Sequence, residues 1–143
     1  MSQTTLQLND VTSGYKTSVV LRKLSLSIAP GEAVALLGKN GMGKSTLLKT
    51  IMGYLPKLTG AVHVNGQDIT RLGPHRIARA GIAYAAQEHA LFADLSIRDN
   101  LRLGLIKESA FEERFADIEP VFPVFKTRLK QYAGTLSGGE QKM

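Results

Sequence analysis

The spacing of apolar residues changes character several times along this chain, and each change predicts an element. Leu6-Gln7-Leu8-Asn9-Asp10-Val11 alternates apolar and polar positions, the period-two pattern of a half-exposed strand. Leu24-Ser25-Leu26-Ser27-Ile28 alternates likewise, and Pro30-Gly31-Glu32 follows it as a turn. Ala33–Leu37 is apolar throughout and stops at Gly38, which predicts a strand buried on both faces, as in a parallel sheet. From Lys44 to Leu55 the period lengthens. Leu47, Leu48, Ile51, Met52 and Leu55 fall on one stripe of a helix.

Gly60–Gly66 reads as a further glycine-bounded strand, Pro74–Ala80 as a short helix, and Ile82–Ala85 as another strand. From about Ile97 to Tyr132 the pattern is helical and charged. Strands alternating with helices predict an α/β domain with a helical addition. One domain is expected over residues 1–143, with a β-rich part to about residue 95 and a helical part from about 96.

Composition narrows the class. With 43% hydrophobic and 21% charged residues the chain is an ordinary globular one, neither disordered nor collagen-like. There is no cysteine, which excludes disulfides, zinc–thiolate sites and thiol catalysis. No apolar run reaches the roughly 18–20 residues of a membrane span. The N-terminal Met1-Ser2-Gln3-Thr4-Thr5 carries no signal-peptide pattern, so a cytoplasmic protein is expected. The formal charge of +6 is uneven: residues 1–71 carry +5 and residues 72–143 carry +1. A basic first half is compatible with nucleic acid, anionic lipid, a phosphorylated ligand or simply a solvated surface.

The motifs decide among these. Gly38-Lys39-Asn40-Gly41-Met42-Gly43-Lys44-Ser45 fits G-x-x-x-x-G-K-[ST] at every fixed position. Gly38, Gly41 and Gly43 let the backbone curl so that successive N–H groups, those of Asn40 and Thr46 included, face phosphate oxygens. The helix beginning near Lys44 adds its positive end. Lys44 is expected to reach the β- and γ-phosphates of ATP, and Ser45 to place its hydroxyl on Mg2+. A glycine turn of no special purpose is the plain alternative, but a buried strand before and an amphipathic helix after argue against it.

Leu136-Ser137-Gly138-Gly139-Glu140-Gln141 is the second motif. Locally, Ser137 and Glu140 have the spacing of a helix capping box. A capped helix start can also receive an anion, so the two readings do not compete.

In this order the two motifs resemble the ATP-binding subunit of an ABC transporter, and the likeness runs from about residue 4 to the last residue. It implies a P-loop core with an antiparallel β portion and a helical subdomain, incomplete at the C-terminus. It also implies two subunits packed head to tail, with ATP between one chain's P-loop and the other's signature residues Ser137, Gly138, Gly139, Glu140 and Gln141. Tyr15 sits where the family places an aromatic residue against adenine. Gln87 matches its Q-loop glutamine, which contacts Mg2+ or the attacking water. Partners implied are membrane permease subunits, a second ATPase subunit and, indirectly, a periplasmic solute-binding protein. Nucleic acid is not implied, and the expected location is the cytoplasmic face of the membrane.

Arg79–Tyr84, Leu91–Leu101 and the stretch from Val121 through Leu129 and Gly134-Thr135-Leu136 resemble the import ATPases for branched-chain amino acids, with urea-uptake relatives close by. The family's metal-holding Asp and its neighbouring Glu should follow an apolar run. Here Ala33–Leu37 ends in Gly38, and Ile82–Ala85 leads to Ala86-Gln87. His63, His75 and His89 all precede the signature, so none is the family's switch histidine; His63 reads as structural and the others as loop residues. The expectation is the N-terminal part of such an ATPase, unable to hydrolyse ATP alone. The alternatives are a non-enzymatic nucleotide binder and a non-transport ABC ATPase. The compact spacing of 94 positions from Gly43 to Ser137 argues against the latter.

Overall fold

Strand β1 (Leu6–Tyr15) runs antiparallel to β2 (Ser18–Ile28) on one side and to β3 (Lys57–Val64) on the other, and β4 (Gln67–Asp68) pairs with β3. The computed structural model describes residues 5–86, 91–105 and 107–142. The sheet order is β2-β1-β3-β4. Helix α1 (Lys44–Ile51) follows the glycine-rich loop, and α2 (Pro74–Arg79) starts with Pro at its first position, where the missing N–H costs nothing. The chain divides into two compact units, Met1–Tyr84 and Ala85–Met143.

Both long strands change face midway. In β1 the buried side chains are Leu8, Val11 and Ser13, with Gly14 buried after them, a switch of parity that strict alternation forbids. A bulge resolves it: Asp10 takes a positive φ of 47° and the register slips between Leu8 and Val11. In β2, Lys23 (φ 45°) does the same between Leu21 and Leu24. Asp10 is fixed by Ser25, whose Oγ accepts the Asp10 N–H at 3.0 Å and donates to Oδ1 at 3.3 Å. The core of this unit is Leu8, Val11, Leu21, Leu47, Ile51, Met52, Val62, Val64, Ile69 and Ile77. Gly60 (φ 86°) lets β3 pass close to β1, since a Cβ there would lie 2.4 Å from the Asn9 carbonyl oxygen.

A hydroxyl pair anchors α1 to the sheet. Thr50 Oγ1 lies 2.7 Å from the Thr46 carbonyl and 2.8 Å from Ser13 Oγ, which lies 2.8 Å from the Pro56 carbonyl. Two protons serve three short contacts. Ser13 donates to Pro56, and Thr50 donates to one of its two neighbours at a time.

The second unit contains α3 (Ile97–Leu103), α4 (Phe111–Ile118) and α5 (Val124–Arg128), with single 3-10 turns at Glu108–Ala110, Ala133–Thr135 and Glu140–Lys142. Ser96 caps α3, accepting the Asp99 N–H at 3.1 Å. Ile97, Phe111, Phe115, Phe125 and Leu136 form its core. Arg98 lies over the Phe111 ring at 4.5 Å and pairs with Glu112 at 2.5 Å.

In this second unit the segment 93–98 is stitched to 129–134. Arg98 N–H donates to Leu129 O, Ile97 N–H to Gln131 O, Ala133 N–H to Leu95 O and Gly134 N–H to Ala93 O, all at 2.9–3.0 Å. Asn100 closes the turn, its carboxamide accepting the Phe92 N–H at 2.9 Å and donating to the carbonyls of Phe92 and Ser96 at 3.0 Å.

The expected strand at Ala33–Leu37 does not form; those residues are irregular and exposed, Leu37 to 92%. The reason is hydrogen bonding. A strand buried on both faces needs neighbours, and no described segment runs parallel to this one, all pairs in the sheet being antiparallel. Ile82–Ala85, expected as a strand, is irregular for the same reason, although Ile82 and Tyr84 still pack on the core. Helix α1 stops at Ile51, because Gly53 takes a left-handed φ of 73°. The helical stretch expected from Ile97 to Tyr132 is three short helices, interrupted at Gly104-Leu105 and by Pro120 and Pro123. After Ser137 there is one 3-10 turn, Glu140–Lys142.

Candidate functional site

The loop from Gly38 to Gly43 is exposed at its rim and closed by its own lysine. Lys44 Nζ donates to the carbonyls of Gly38 at 2.6 Å and Lys39 at 2.9 Å, which draws the two ends of the loop together. An ammonium has three protons, so one remains for an anion. Gly43 has φ 90°, ψ 4° and no side-chain cap. A Cβ there would stand 3.1 Å from Val20 Cγ1 and 3.4 Å from Leu21 Cδ2, so both the torsion and the space call for glycine.

Because Gly43 offers no cap, the first N–H groups of α1 have no side-chain acceptor from it, and no acidic residue occupies the first turn. Positive backbone ends, Lys44 and a concave glycine loop together suit a polyphosphate. Asn40 and Gly41 lie on the exposed rim. Ser45 is exposed beside them, while the Thr46 side chain is buried, leaving its backbone N–H for the loop. A magnesium ion held mainly by phosphate oxygens and water needs little from the protein, and the exposed Ser45 hydroxyl fits that requirement. Among the described residues no cluster of three or more His, Asp or Glu side chains could hold a metal alone.

Tyr15 ends β1, 44% exposed, and pairs with Ser18 across the turn into β2. Val20, which touches the Gly43 position, is two residues further on. Tyr15 therefore stands about 7 Å along the strand from the glycine loop. Gln87 and His89 lie outside the described residues. His63 sits in β3 with its Nδ1 buried and without a partner, and His75 is exposed in α2.

The second motif belongs to the other unit. Ser137, Gly138 and Gly139 are exposed, and Leu136 is buried in the core. Ser137 and Glu140 cap each other: Ser137 N–H donates to Glu140 Oε2 at 2.8 Å, and Glu140 N–H donates to Ser137 Oγ at 3.3 Å. Gln141 donates to the Leu136 carbonyl at 3.0 Å, bracing the loop from behind. The Ser137 N–H bond, then bonds from Arg128 and the Ser137 side chain, lower the Glu140 pKa to about 2.

Sequence reasoning missed the residues that hold this loop. Arg128 bonds through Nη1 to Glu140 Oε1 and through Nε to Gln131 Oε1 at 2.6 Å, and Gln131 donates onward to Thr135 Oγ1 at 2.6 Å. Nothing in the local sequence marks Arg128, which lies 12 positions from its partner. Asn100 was equally silent.

The ABC transporter family matches residues 21–143. A probable branched-chain amino acid transport ATP-binding protein, LivF, of Archaeoglobus fulgidus is 38% identical over 97% of this chain and 58% of its own length. The high-affinity branched-chain amino acid transport ATP-binding protein BraG of Pseudomonas aeruginosa is 33% identical over 96% of this chain and 60% of its own. The chain thus spans under two thirds of those relatives. A solved ATP-binding subunit of an ABC transporter superposes with TM-score 0.80 at 30% identity, covering 96% of this chain and 57% of that one. A nucleotide-free ATP-binding cassette from an ABC transporter gives 0.84 at 26% identity, covering 96% and 61%. These likenesses give the chain the ABC ATPase fold, as part of the domain.

Proposed function

Since this chain belongs to the ABC transporter ATP-binding family, we propose that it is the nucleotide-holding part of an importer subunit that takes up a small polar solute, with branched-chain amino acids as the favoured class. One observation carries the nucleotide reading: Lys44 bridges the Gly38 and Lys39 carbonyls under a glycine loop that ends in an uncapped helix start. The similarity to LivF and BraG supports the solute class.

In this reading the loop amides and the free Lys44 proton hold the triphosphate, and Ser45 with Gln87 serves Mg2+. The Tyr15 ring lies against adenine. Bound Mg2+ would draw charge from the phosphates. Ser137, Gly139 and Gln141 act on nucleotide held by a second subunit, and closure of that pair drives a membrane permease. Among the described residues no helix is long and apolar enough to cross a membrane, so transport needs such a partner.

Calorimetric titration with Mg-ATP tests the binding. Loss of the Lys44 contacts to phosphate removes charge-assisted bonds, so Lys44→Ala should weaken affinity by roughly tenfold or more. Equal affinity in both proteins refutes the site.

A further inference from the structure

The Ser137 loop contains donors for an anion and, beside them, an anion of its own. The Ser137 hydroxyl is engaged by Glu140, accepting its N–H at 3.3 Å and bonding its carboxylate. The Gly138 and Gly139 N–H groups have no acceptor among the described residues. Those two donors belong to an exposed loop. Yet Glu140 is ionised at neutral pH and sits 2.8 Å from Ser137 N, where an uncompensated carboxylate repels any polyphosphate that approaches.

Arg128 removes that conflict. Its Nη1 holds Glu140 Oε1, while Gln131 fixes its Nε and is itself tied to Thr135. With side-chain exposures of 29% and 24%, Arg128 and Glu140 form the least exposed of the described ion pairs, so water screens this pair least. The carboxylate cannot simply be absent, because its other oxygen caps Ser137.

We propose that Arg128 is a positioning residue for the signature loop: it keeps Glu140 on the cap and cancels its charge, so that the Gly138 and Gly139 N–H groups present a receptor of no net charge to the terminal phosphates of ATP held by a second subunit. This rests on the nucleotide reading given above. Arg128 itself touches no phosphate in this scheme.

The test titrates the 15N-labelled chain with inorganic triphosphate and follows the Gly138 and Gly139 amides, with the Gly41 and Lys44 amides as an internal control. Both sets should shift and saturate in the native protein. Arg128→Ala should weaken the response at Gly138 and Gly139 about tenfold, as expected for one like charge unmasked nearby, and leave Gly41 unchanged. Arg128→Lys should stay within about threefold of the native protein. The double variant Arg128→Ala with Glu140→Gln should recover to the same range, since Gln still caps Ser137 and carries no charge. A purely structural arginine predicts no such recovery.

Should Arg128→Ala lose the loop's fold, Arg128→Gln carries the test, because it keeps a donor for Glu140 while removing the charge. It should weaken binding as the alanine does. An unchanged Arg128→Ala or Arg128→Gln, or a double variant as weak as Arg128→Ala, overturns the proposal. If Gly41 and Lys44 respond but Gly138 and Gly139 do not, this inference alone falls. If Gly41 and Lys44 stay still as well, the nucleotide reading falls with it.

Discussion

Replacing Gly43 by alanine isolates the geometry on which nucleotide binding depends. The residue holds φ 90°, a region that costs an L-amino acid about 1–2 kcal/mol. The added methyl would also lie 3.1 Å from Val20 Cγ1, a contact that a shift of a few tenths of an ångström relieves. The torsion is therefore the larger effect, and the total loss should be about 2 kcal/mol. With a urea dependence of roughly 2 kcal/mol per molar, the unfolding midpoint falls by about 1 M. The amides of Val11 and Val62, both fully buried in the sheet, report this unit separately from the helical one. Adding Val20→Ala to Gly43→Ala removes the contact but not the torsion, so most of the loss should persist. Mg-ATP affinity should fall in both variants, because the amides that follow Gly43 turn away from the loop. An unchanged midpoint in Gly43→Ala, or full recovery on adding Val20→Ala, would refute the reasoning.

Three further outcomes are expected. Ile77→Ala, at a fully buried position beside Gly53, should cost about 2–5 kcal/mol by urea unfolding of the first unit. Asn100→Ala should leave the Phe92 N–H and the Ser96 carbonyl without their side-chain partner and speed hydrogen exchange at Ala133 and Gly134 by about tenfold, while Val62 exchange stays unchanged. Glu140 should titrate near pH 2 by carboxyl 13C shift. Its depressed pKa stabilises the loop above about pH 4.5, and this contribution fades as the pH falls toward about 2; Arg128→Ala should raise the midpoint.

What could be read from sequence was what is local in sequence. The glycine loop, the Ser137–Glu140 cap and the start of α2 at Pro74 all depend on residues within a few positions of each other, and each occupies the place the pattern predicts. The antiparallel strands were legible in outline, but the bulges at Asp10 and Lys23 were not. They appear only as a break in apolar parity between Leu8 and Val11 and between Leu21 and Leu24. The apolar run Ala33–Leu37 misled for a related reason. Apolar composition records what a segment is suited to be buried in, whereas a strand forms only where another backbone supplies its hydrogen bonds. Arg128 escaped notice because Glu140 lies 12 positions away and is brought to it only by the fold.

The bare ribbon at Ala33–Leu37 also decides how this molecule would come apart. Irregular, exposed and apolar, it is the natural first cut for a protease that prefers leucine, at the bond between Leu36 and Leu37. That cut falls between β2 and β3, and the sheet order β2-β1-β3-β4 sets β1, on the first piece, beside β3 on the second. The piece with β1 and β2 would still be zipped to the piece with β3 by the Leu6–Val64, Gln7–His63 and Leu8–Val62 pairs, and pinned through Ser13 to Thr50. A nicked chain should therefore migrate as one body in native solution and as two in denaturant. Separately expressed pieces divided at this bond would be a ready-made split protein, whose reassembly restores the seat of the phosphate loop.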